Sequence, residues 1–115
     1  MDSILEILTP KGKKLIDIDP IKYILAANRN CIIYFNDNSS LQSSHLLKWF
    51  TKRLPEPDFY RCHRTIIVNC NYVDYYSFCT IILKGDIRLP LSRLKGHFLK
   101  LNLKRLKNKI LHQPG

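Results

Sequence analysis

The sequence predicts a mainly β domain with one helix inserted near its middle and a second helix at its end. Three observations support this fold class. Most of the chain consists of short apolar runs separated by Pro, Gly, Asn and Asp, which is typical of strands and tight turns. One apolar run has helical spacing and stops at prolines. Towards the end, apolar residues recur every three or four positions with lysines between them, as in a basic amphipathic helix.

The apolar runs predict ten short strands. In chain order they cover residues 4–9, 14–17, 21–26, 31–35, 40–42, 60–62, 66–68, 73–76, 79–83 and 87–91. Turns are predicted at residues 10–12, 28–30 and 84–86, because Gly, Asn and Asp tolerate the positive φ angles that tight turns need.

The two helices are predicted over about residues 44–54 and 94–111. Ser43 or Ser44 is expected to cap the first helix, and Pro55 and Pro57 to end it, because proline cannot continue the hydrogen-bond ladder. The second helix is expected to pack its apolar side on a sheet and to turn its lysines to solvent. Its apolar positions are Leu94, Phe98, Leu99, Leu101, Leu103, Leu106 and Ile110.

The length of 115 residues fits one domain spanning residues 1–115. Its formal charge of +10 is concentrated in the second half of the chain. Residues 1–58 carry 8 basic and 7 acidic side chains, whereas residues 59–115 carry 11 basic and 2 acidic ones. Such a one-sided field attracts polyanions, so nucleic acid is the first candidate partner and an anionic membrane surface the second.

Several classes of protein are not expected from this sequence. No signal peptide is visible, and no window approaches the roughly 18 apolar residues that a membrane span requires. The four cysteines lack CxxC spacing and indicate reduced thiols in a cytoplasm. Cys62 and His63 are neighbours in a predicted strand and would point to opposite faces, which argues against a catalytic pair. We therefore expect no enzyme, no metal site and no cofactor.

Residues 59–69 form the most unusual segment of the chain. Arg61, His63 and Arg64 stand immediately before the apolar run Ile66-Ile67-Val68. Three cationic or titratable groups at that place are not expected in a purely structural strand. They are expected in a loop that donates hydrogen bonds to phosphates and base edges.

This segment resembles the signature of LytTR-type domains, the output modules of many bacterial response regulators, which has the form F-x-R-x-H-R-S-x-x-V-N. Thr65 stands where the signature has serine. Residues 19–25, the helix at 43–54 and the hairpin at 81–93 with its P-x-S-R ending resemble other family elements in the same order. The resemblance covers about residues 4–101, and residues 102–115 are a helical extension and tail. The matching signature residues are Phe59, Arg61, His63, Arg64, Val68 and Asn69.

The resemblance implies an elongated fold of about ten short strands in three small antiparallel sheets, which binds duplex DNA through loops. It implies a bacterial transcriptional regulator, or the output domain of a two-component response regulator, that recognises repeated short half-sites. A homodimer on DNA and an upstream receiver or sensor, as a domain or a separate protein, stay open. Arg61 and Lys100 are candidates for phosphate contacts. The candidate DNA-binding residues are Arg29, Asn30, His63, Arg64, Thr65, Ser92, Arg93 and Lys95.

Other interpretations of these residues stay open. His63 suits a structural role bonded to backbone as well as a DNA contact, and Asn69 suits a turn-closing role. The cationic neighbours of Cys62 suggest a lowered thiol pKa. The whole chain is alternatively an interaction module that binds an anionic membrane or a partner protein through residues 94–111. A weaker alternative is RNA binding by stacked aromatics, for which the candidates are Tyr72, Tyr75, Tyr76 and Phe78.

Overall fold

Ten strands and two α-helices build the part of the chain that the computed structural model describes, residues 3–111. The mainly β prediction is confirmed, and each predicted strand is present with its ends shifted by at most two residues. The helices are α1 (Leu47–Arg53) and α2 (Arg93–Leu111). The strands are β1 (Ile4–Thr9), β2 (Gly12–Asp17), β3 (Ile21–Ala27), β4 (Asn30–Phe35), β5 (Ser40–Ser43), β6 (Phe59–His63), β7 (Ile66–Asn69), β8 (Val73–Tyr76), β9 (Thr80–Leu83) and β10 (Ile87–Pro90).

The strands form three antiparallel sheets, as predicted. A five-stranded sheet has the order β5-β4-β3-β7-β6, a three-stranded sheet the order β10-β9-β8, and β1 and β2 form a separate hairpin. The principal extents are 38 × 35 × 25 Å, so the domain is longer in two directions than in the third.

The five-stranded sheet has a hydrophobic core on each of its two faces. Side chains alternate along a strand, so Ile67 lies in one core while its neighbours Ile66 and Val68 lie in the other. The β1–β2 hairpin and α1 cover the first face with Ile7, Ile16, Leu47, Phe50 and Leu54. The three-stranded sheet and α2 cover the second face with Ile81, Leu83, Leu89, Leu91, Leu99 and Leu106.

Asn69 closes the turn after β7, as the sequence suggested. The side chain is buried, its amide donates to the Ile21 carbonyl at 2.8 Å, and its oxygen accepts from the Asn71 amide at 3.0 Å. This one residue therefore ties the end of β7 to the start of β3 and starts the short 3-10 turn Cys70–Tyr72.

The predicted serine cap and start of α1 are wrong. Ser43 is buried at the end of β5, where it pairs with Cys31, and its hydroxyl accepts from the His45 amide. The Ser44 amide donates to the Leu8 carbonyl. Because strand contacts use both serines, α1 begins only at Leu47, and its N-cap residue makes no side-chain capping bond. The predicted end is confirmed, since α1 stops immediately before Leu54 and Pro55.

Only part of the predicted apolar side of α2 is packed. Leu99 and Leu106 are buried, but Leu94, Phe98 and Leu101 are 71%, 48% and 53% exposed. The packed side includes Asn102, which is buried and donates to the Pro57 carbonyl at 2.8 Å. Asn102 thus faces the body of the domain, whereas Leu94 and Leu101 lie on the solvent side of α2. Neither helix within residues 3–111 has the length and apolar character needed to cross a bilayer.

Candidate nucleic-acid interface

Two of the predicted loops lie side by side at one end of the five-stranded sheet. The turn at Asn28-Arg29 joins β3 to β4, and the turn at Arg64-Thr65 joins β6 to β7. Since β3 and β7 are antiparallel neighbours, the end of β3 and the start of β7 lie side by side, and both turns fall at the same end of the sheet. We call this end, where the loops lie, the sheet edge. The Ala26 amide donates to the Thr65 carbonyl at 2.8 Å and fastens the two loops together.

The third predicted loop reaches this edge through contacts with β6. The Ser92 amide donates to the Cys62 carbonyl at 3.1 Å. The Tyr60 hydroxyl donates to the Lys95 carbonyl at 2.8 Å. These two bonds place the first turn of α2 beside the β6–β7 loop, although the two segments are far apart in the sequence.

Where the second and third loops meet, they enclose an open depression of about 360 Å³. It is lined by Arg61, His63, Arg64, Ser92 and Lys95, all of which the sequence had singled out. None of these lining residues, within the described part of the chain, is a carboxylate, so the donors face solvent without a competing anion. A second depression of about 280 Å³, between α2 and the 3-10 turn, includes Lys107 among its lining residues.

Hydrogen bonds within the β6–β7 loop hold its side chains in place. The Arg61 Nη2 donates to the Arg64 carbonyl at 2.7 Å. The His63 Nδ1 accepts from the Thr65 amide at 3.3 Å and lies 2.9 Å from the Thr65 hydroxyl. An accepting Nδ1 requires that the neutral ring carry its proton on Nε2. His63 therefore has a structural bond on one nitrogen and a free donor on the other.

The third loop is the N-terminus of α2. Ser92 caps the helix, because its hydroxyl accepts from the Lys95 amide at 3.3 Å. Arg93 and Lys95 occupy the first turn, where no acidic residue is present. Cations there oppose the helix dipole and cost stability, whereas the free amides and positive dipole favour a bound anion. The arrangement suits phosphate binding better than it suits the helix alone.

The remaining predicted site residues lie outside the depression. Arg93 is exposed beside it, and Arg29 is exposed in the neighbouring turn. Asn30 was predicted as a loop residue, but it is half-buried as the first residue of β4 and pairs with Ala27. Lys100 is exposed on α2, about two helical turns after Arg93.

The open alternative of a lowered Cys62 thiol pKa, with a redox role for this residue, is not supported by the structure. Cys62 is fully buried, and burial raises the pKa of its thiol to about 12. Its sulfur contacts the carbonyls of Ile66 and Pro90, away from the cations of the loop. A thiol in this position is neutral and is part of the second core.

Sequence reasoning missed two residues that shape the interface. The Tyr60 hydroxyl donates to the Lys95 carbonyl and so holds α2 against β6. The only sequence signal was the spacing of two residues between Tyr60 and Cys62, which places both side chains on the same face of the sheet. Phe78 lies beneath Arg93, with the guanidinium carbon 5.3 Å from the ring centroid. The sequence signal was a large aromatic residue in a turn, and the sequence had suggested Phe78 only as a candidate for RNA stacking.

Comparison with known protein families shows which family the chain belongs to. The family profile of the LytTr DNA-binding domain matches residues 11–109. The chain belongs to the LytTR family of DNA-binding domains. The match extends further into α2 than the resemblance over about residues 4–101 had indicated.

The LytTR fold is also found among solved structures. The chain is similar to the LytTr DNA-binding domain of a Bacillus cereus protein described as a methyl-accepting/DNA response regulator. The TM-score is 0.73 at 21% identity, with 90% of this chain and 98% of the other covered. No curated protein sequence matches the chain.

Proposed function

We propose that this LytTR-family chain is the sequence-specific DNA-binding unit of a bacterial transcriptional regulator. The observation that carries the proposal is the acid-free depression, in which cations from two distant loops converge. Phosphate-directed cations supply salt-dependent affinity, and arginines at base edges supply specificity.

The two exposed arginines beside or in the depression are assigned to base reading. Arg64 and Arg93 are exposed, and a bidentate arginine on guanine is worth about 1–3 kcal/mol of discrimination. His63 adds a donor through Nε2. Arg61 and Lys95 are assigned to phosphate contacts. One guanidinium nitrogen of Arg61 already donates to the Arg64 carbonyl, and the Lys95 ammonium is a point charge that cannot bind a base edge in bidentate fashion.

Arg29 and Asn30 would extend the same surface along the sheet edge. Adjacent strands are about 4.8 Å apart, so the turn with Arg29 lies roughly 10 Å from the turn with Arg64. That spacing corresponds to about three base pairs along a duplex. Each chain would then occupy one short half-site.

The regulator would act on repeated half-sites in the cytoplasm. Two copies on half-sites about one helical turn apart would face the same side of the duplex, which suits a homodimer or tandem occupancy. The similar Bacillus cereus domain comes from a protein described as a response regulator, which supports a two-component receiver or sensor as the upstream partner.

The alternative of membrane or partner binding through α2 is less well supported. Leu99 and Leu106 are buried in the second core. The apolar residues that stay exposed on α2, Leu94, Phe98 and Leu101, share their side of the helix with Arg105, which pairs with Glu56. Exposed Tyr75, Tyr76 and Phe78 would serve RNA stacking, but no observation places bases against them.

Selection of bound duplexes from a random pool tests the proposal and yields the site. Fluorescence anisotropy then compares the selected duplex with a scrambled one. Arg64→Ala and Arg93→Ala should each reduce the ratio of the two affinities by about 5–100-fold. Arg88→Ala is the matched control, because Arg88 is an exposed arginine on β10 outside the depression. Equal binding of both duplexes at raised salt would refute sequence-specific recognition.

A further inference from the structure

Four basic side chains form one exposed row along α2. Residues at spacings of 7, 11 and 14 return to within roughly 60° of arc on an α-helix, which places them on one side of α2. We call this row the cationic face of α2. It consists of Arg93, Lys100, Lys104 and Lys107, all of which are exposed.

The cationic face has no acidic counterpart within residues 3–111. The basic residues that form ion pairs in this part of the chain are Lys13, Arg105 and Lys109. Arg105 and Lys109 pair with Glu56 and Asp58 on the side of α2 next to β6. The three lysines of the cationic face are exposed and form no ion pair within residues 3–111, and Arg93 contacts the Phe78 ring rather than a carboxylate.

Packing holds the cationic face in a fixed orientation. Leu99 and Leu106 are buried against the second core, and Asn102 bonds the Pro57 carbonyl. These contacts lie roughly 110–170° around the helix from the centre of the cationic face. The face is thus preorganised, and binding does not have to order the helix first.

We propose that the cationic face binds the phosphates of duplex DNA that flanks the half-site read by the loops. The inference rests on the proposed function, and it is continuous with it because Arg93 belongs to both surfaces. From Arg93 the face extends about 21 Å along α2, which runs back along β6 away from the sheet edge. Its lysines therefore meet flanking DNA rather than the central bases, and their contacts are independent of sequence.

Duplex DNA fits this face better than a membrane does. The exposed apolar residues of α2, Leu94, Phe98 and Leu101, lie roughly 90–150° around the helix from the lysines. A helix lying in a membrane surface needs an apolar side that is free to insert. Here Arg105 lies between Leu94 and Phe98 around the helix and pairs with Glu56, so charged groups interrupt the exposed apolar side.

The test uses the whole chain with the substitutions K100Q, K104Q and K107Q together. The matched control is K48Q, K52Q and K84Q, which removes the same charge from exposed positions on α1 and the β9–β10 turn. Affinity is measured from about 50 to 200 mM salt for a short duplex with the half-site alone and for one with about 10 further base pairs on each side. Thermal unfolding verifies that all variants are folded, since glutamine is a good helix former.

The expected result depends on duplex length. On the long duplex, the α2 variant should bind about 10-fold more weakly, and the slope of log K against log salt should become shallower by about 0.9 for each phosphate that the variant no longer neutralises. On the short duplex, the decrease in affinity should stay below about 2-fold. The control variant should show the same small change on both duplexes.

Three outcomes of the DNA titrations would overturn the proposal. They are an equal decrease in affinity on both duplexes, no decrease on the long one, and an equal length-dependent decrease in the control variant. Binding of the chain to anionic phosphatidylserine vesicles that is abolished in the α2 variant and not displaced by the long duplex would also overturn it. Failure of the proposed function would differ, because there Arg64→Ala would leave the ratio of selected to scrambled binding unchanged on the short duplex.

Discussion

The guanidinium carbon of Arg93 lies 5.3 Å from the centroid of the Phe78 ring. Phe78 is 69% exposed, which is unusual for so large an apolar side chain. Its turn is held by a bond from the Ser77 amide to the Thr80 carbonyl and by one from the Leu91 amide to the Cys79 carbonyl. These bonds hold the backbone on both sides of Phe78, and the ring attracts the Arg93 guanidinium that lies over it.

Removal of that platform should weaken specific DNA binding. A cation–π contact at an exposed site is worth about 0.5–1 kcal/mol, so Phe78→Leu should lower affinity for the selected duplex by about 2–5-fold. Phe78→Trp should preserve affinity, because its ring also attracts the cation. Anisotropy titrations in the Arg93→Ala background provide the control. If Phe78→Leu has the same effect there, Phe78 does not act through Arg93.

Ser92 should separate the stability of α2 from its affinity for DNA. Ser92→Ala removes the cap on the Lys95 amide and should lower the free energy of unfolding by about 0.5–2 kcal/mol. Ser92→Asp keeps a capping oxygen but adds a negative charge to the depression. We expect it to unfold like the wild type in urea and to bind DNA at least about 5-fold more weakly. Normal DNA affinity of Ser92→Asp would contradict a phosphate-facing depression.

Asn69 should be important for stability and not for specificity. Asn69→Ala leaves the Ile21 carbonyl without its side-chain donor and the Asn71 amide without its acceptor. Loss of such buried bonds costs about 1–3 kcal/mol, measurable as a lower urea midpoint. Asn36→Ala, at an exposed position, should cost less. A changed ratio of selected to scrambled DNA binding in folded Asn69→Ala would show a direct role in recognition.

The four thiols should differ sharply in reactivity. Cys79 is exposed, whereas burial raises the thiol pKa of Cys31 to about 11 and those of Cys62 and Cys70 to about 12. Because the thiolate is the reactive form, a thiol reagent such as DTNB should label one cysteine rapidly in the native protein and all four in denaturant. Cys79→Ser should abolish the rapid phase. A rapid phase that remains in this variant would mean that a buried thiol becomes accessible.

The contact between Asp58 and Lys109 should make stability depend on acidic pH. Burial favours the protonated carboxyl, but hydrogen bonds from Lys109 and Asn71 outweigh it and hold the pKa of Asp58 below its ordinary value of 3.8. A carboxyl with a lowered folded pKa stabilises the protein above its unfolded pKa, and this contribution disappears as the pH falls through and below 3.8. Melting temperatures should therefore fall less from about pH 5 to about pH 3 in Asp58→Asn than in the wild type. Parallel pH profiles would contradict the prediction.

Local chemistry explains why most elements could be predicted. Turns at Gly12, Asn28 and Gly85 have positive φ angles that side-chain type alone indicates, and the apolar runs between such turns are the strands. The start of α1 could not be predicted, because Ser43 has the side chain of a helix cap but pairs in a sheet. Propensity describes a residue by itself, and a strand partner from elsewhere overrides it.

The packing of α2 shows the same limit. Helical periodicity predicted one apolar side, but Leu94 is exposed and Asn102 is buried, since the Pro57 carbonyl accepts a bond from the asparagine. Nothing in the local sequence indicates that a carbonyl far away in the chain will stand opposite one helix position.

The sequence by itself determined the signature segment, and with it the family and the charge, and it made Arg64 and Arg93 candidates for the site. Those are properties of residue type and order. Only the tertiary structure decided that the loops with these residues share one surface. The bonds that join them, from Ser92 to Cys62 and from Ala26 to Thr65, link backbone groups remote in sequence. Backbone groups are alike in almost every residue, so their pairing follows from how the sheets pack and not from side-chain identity.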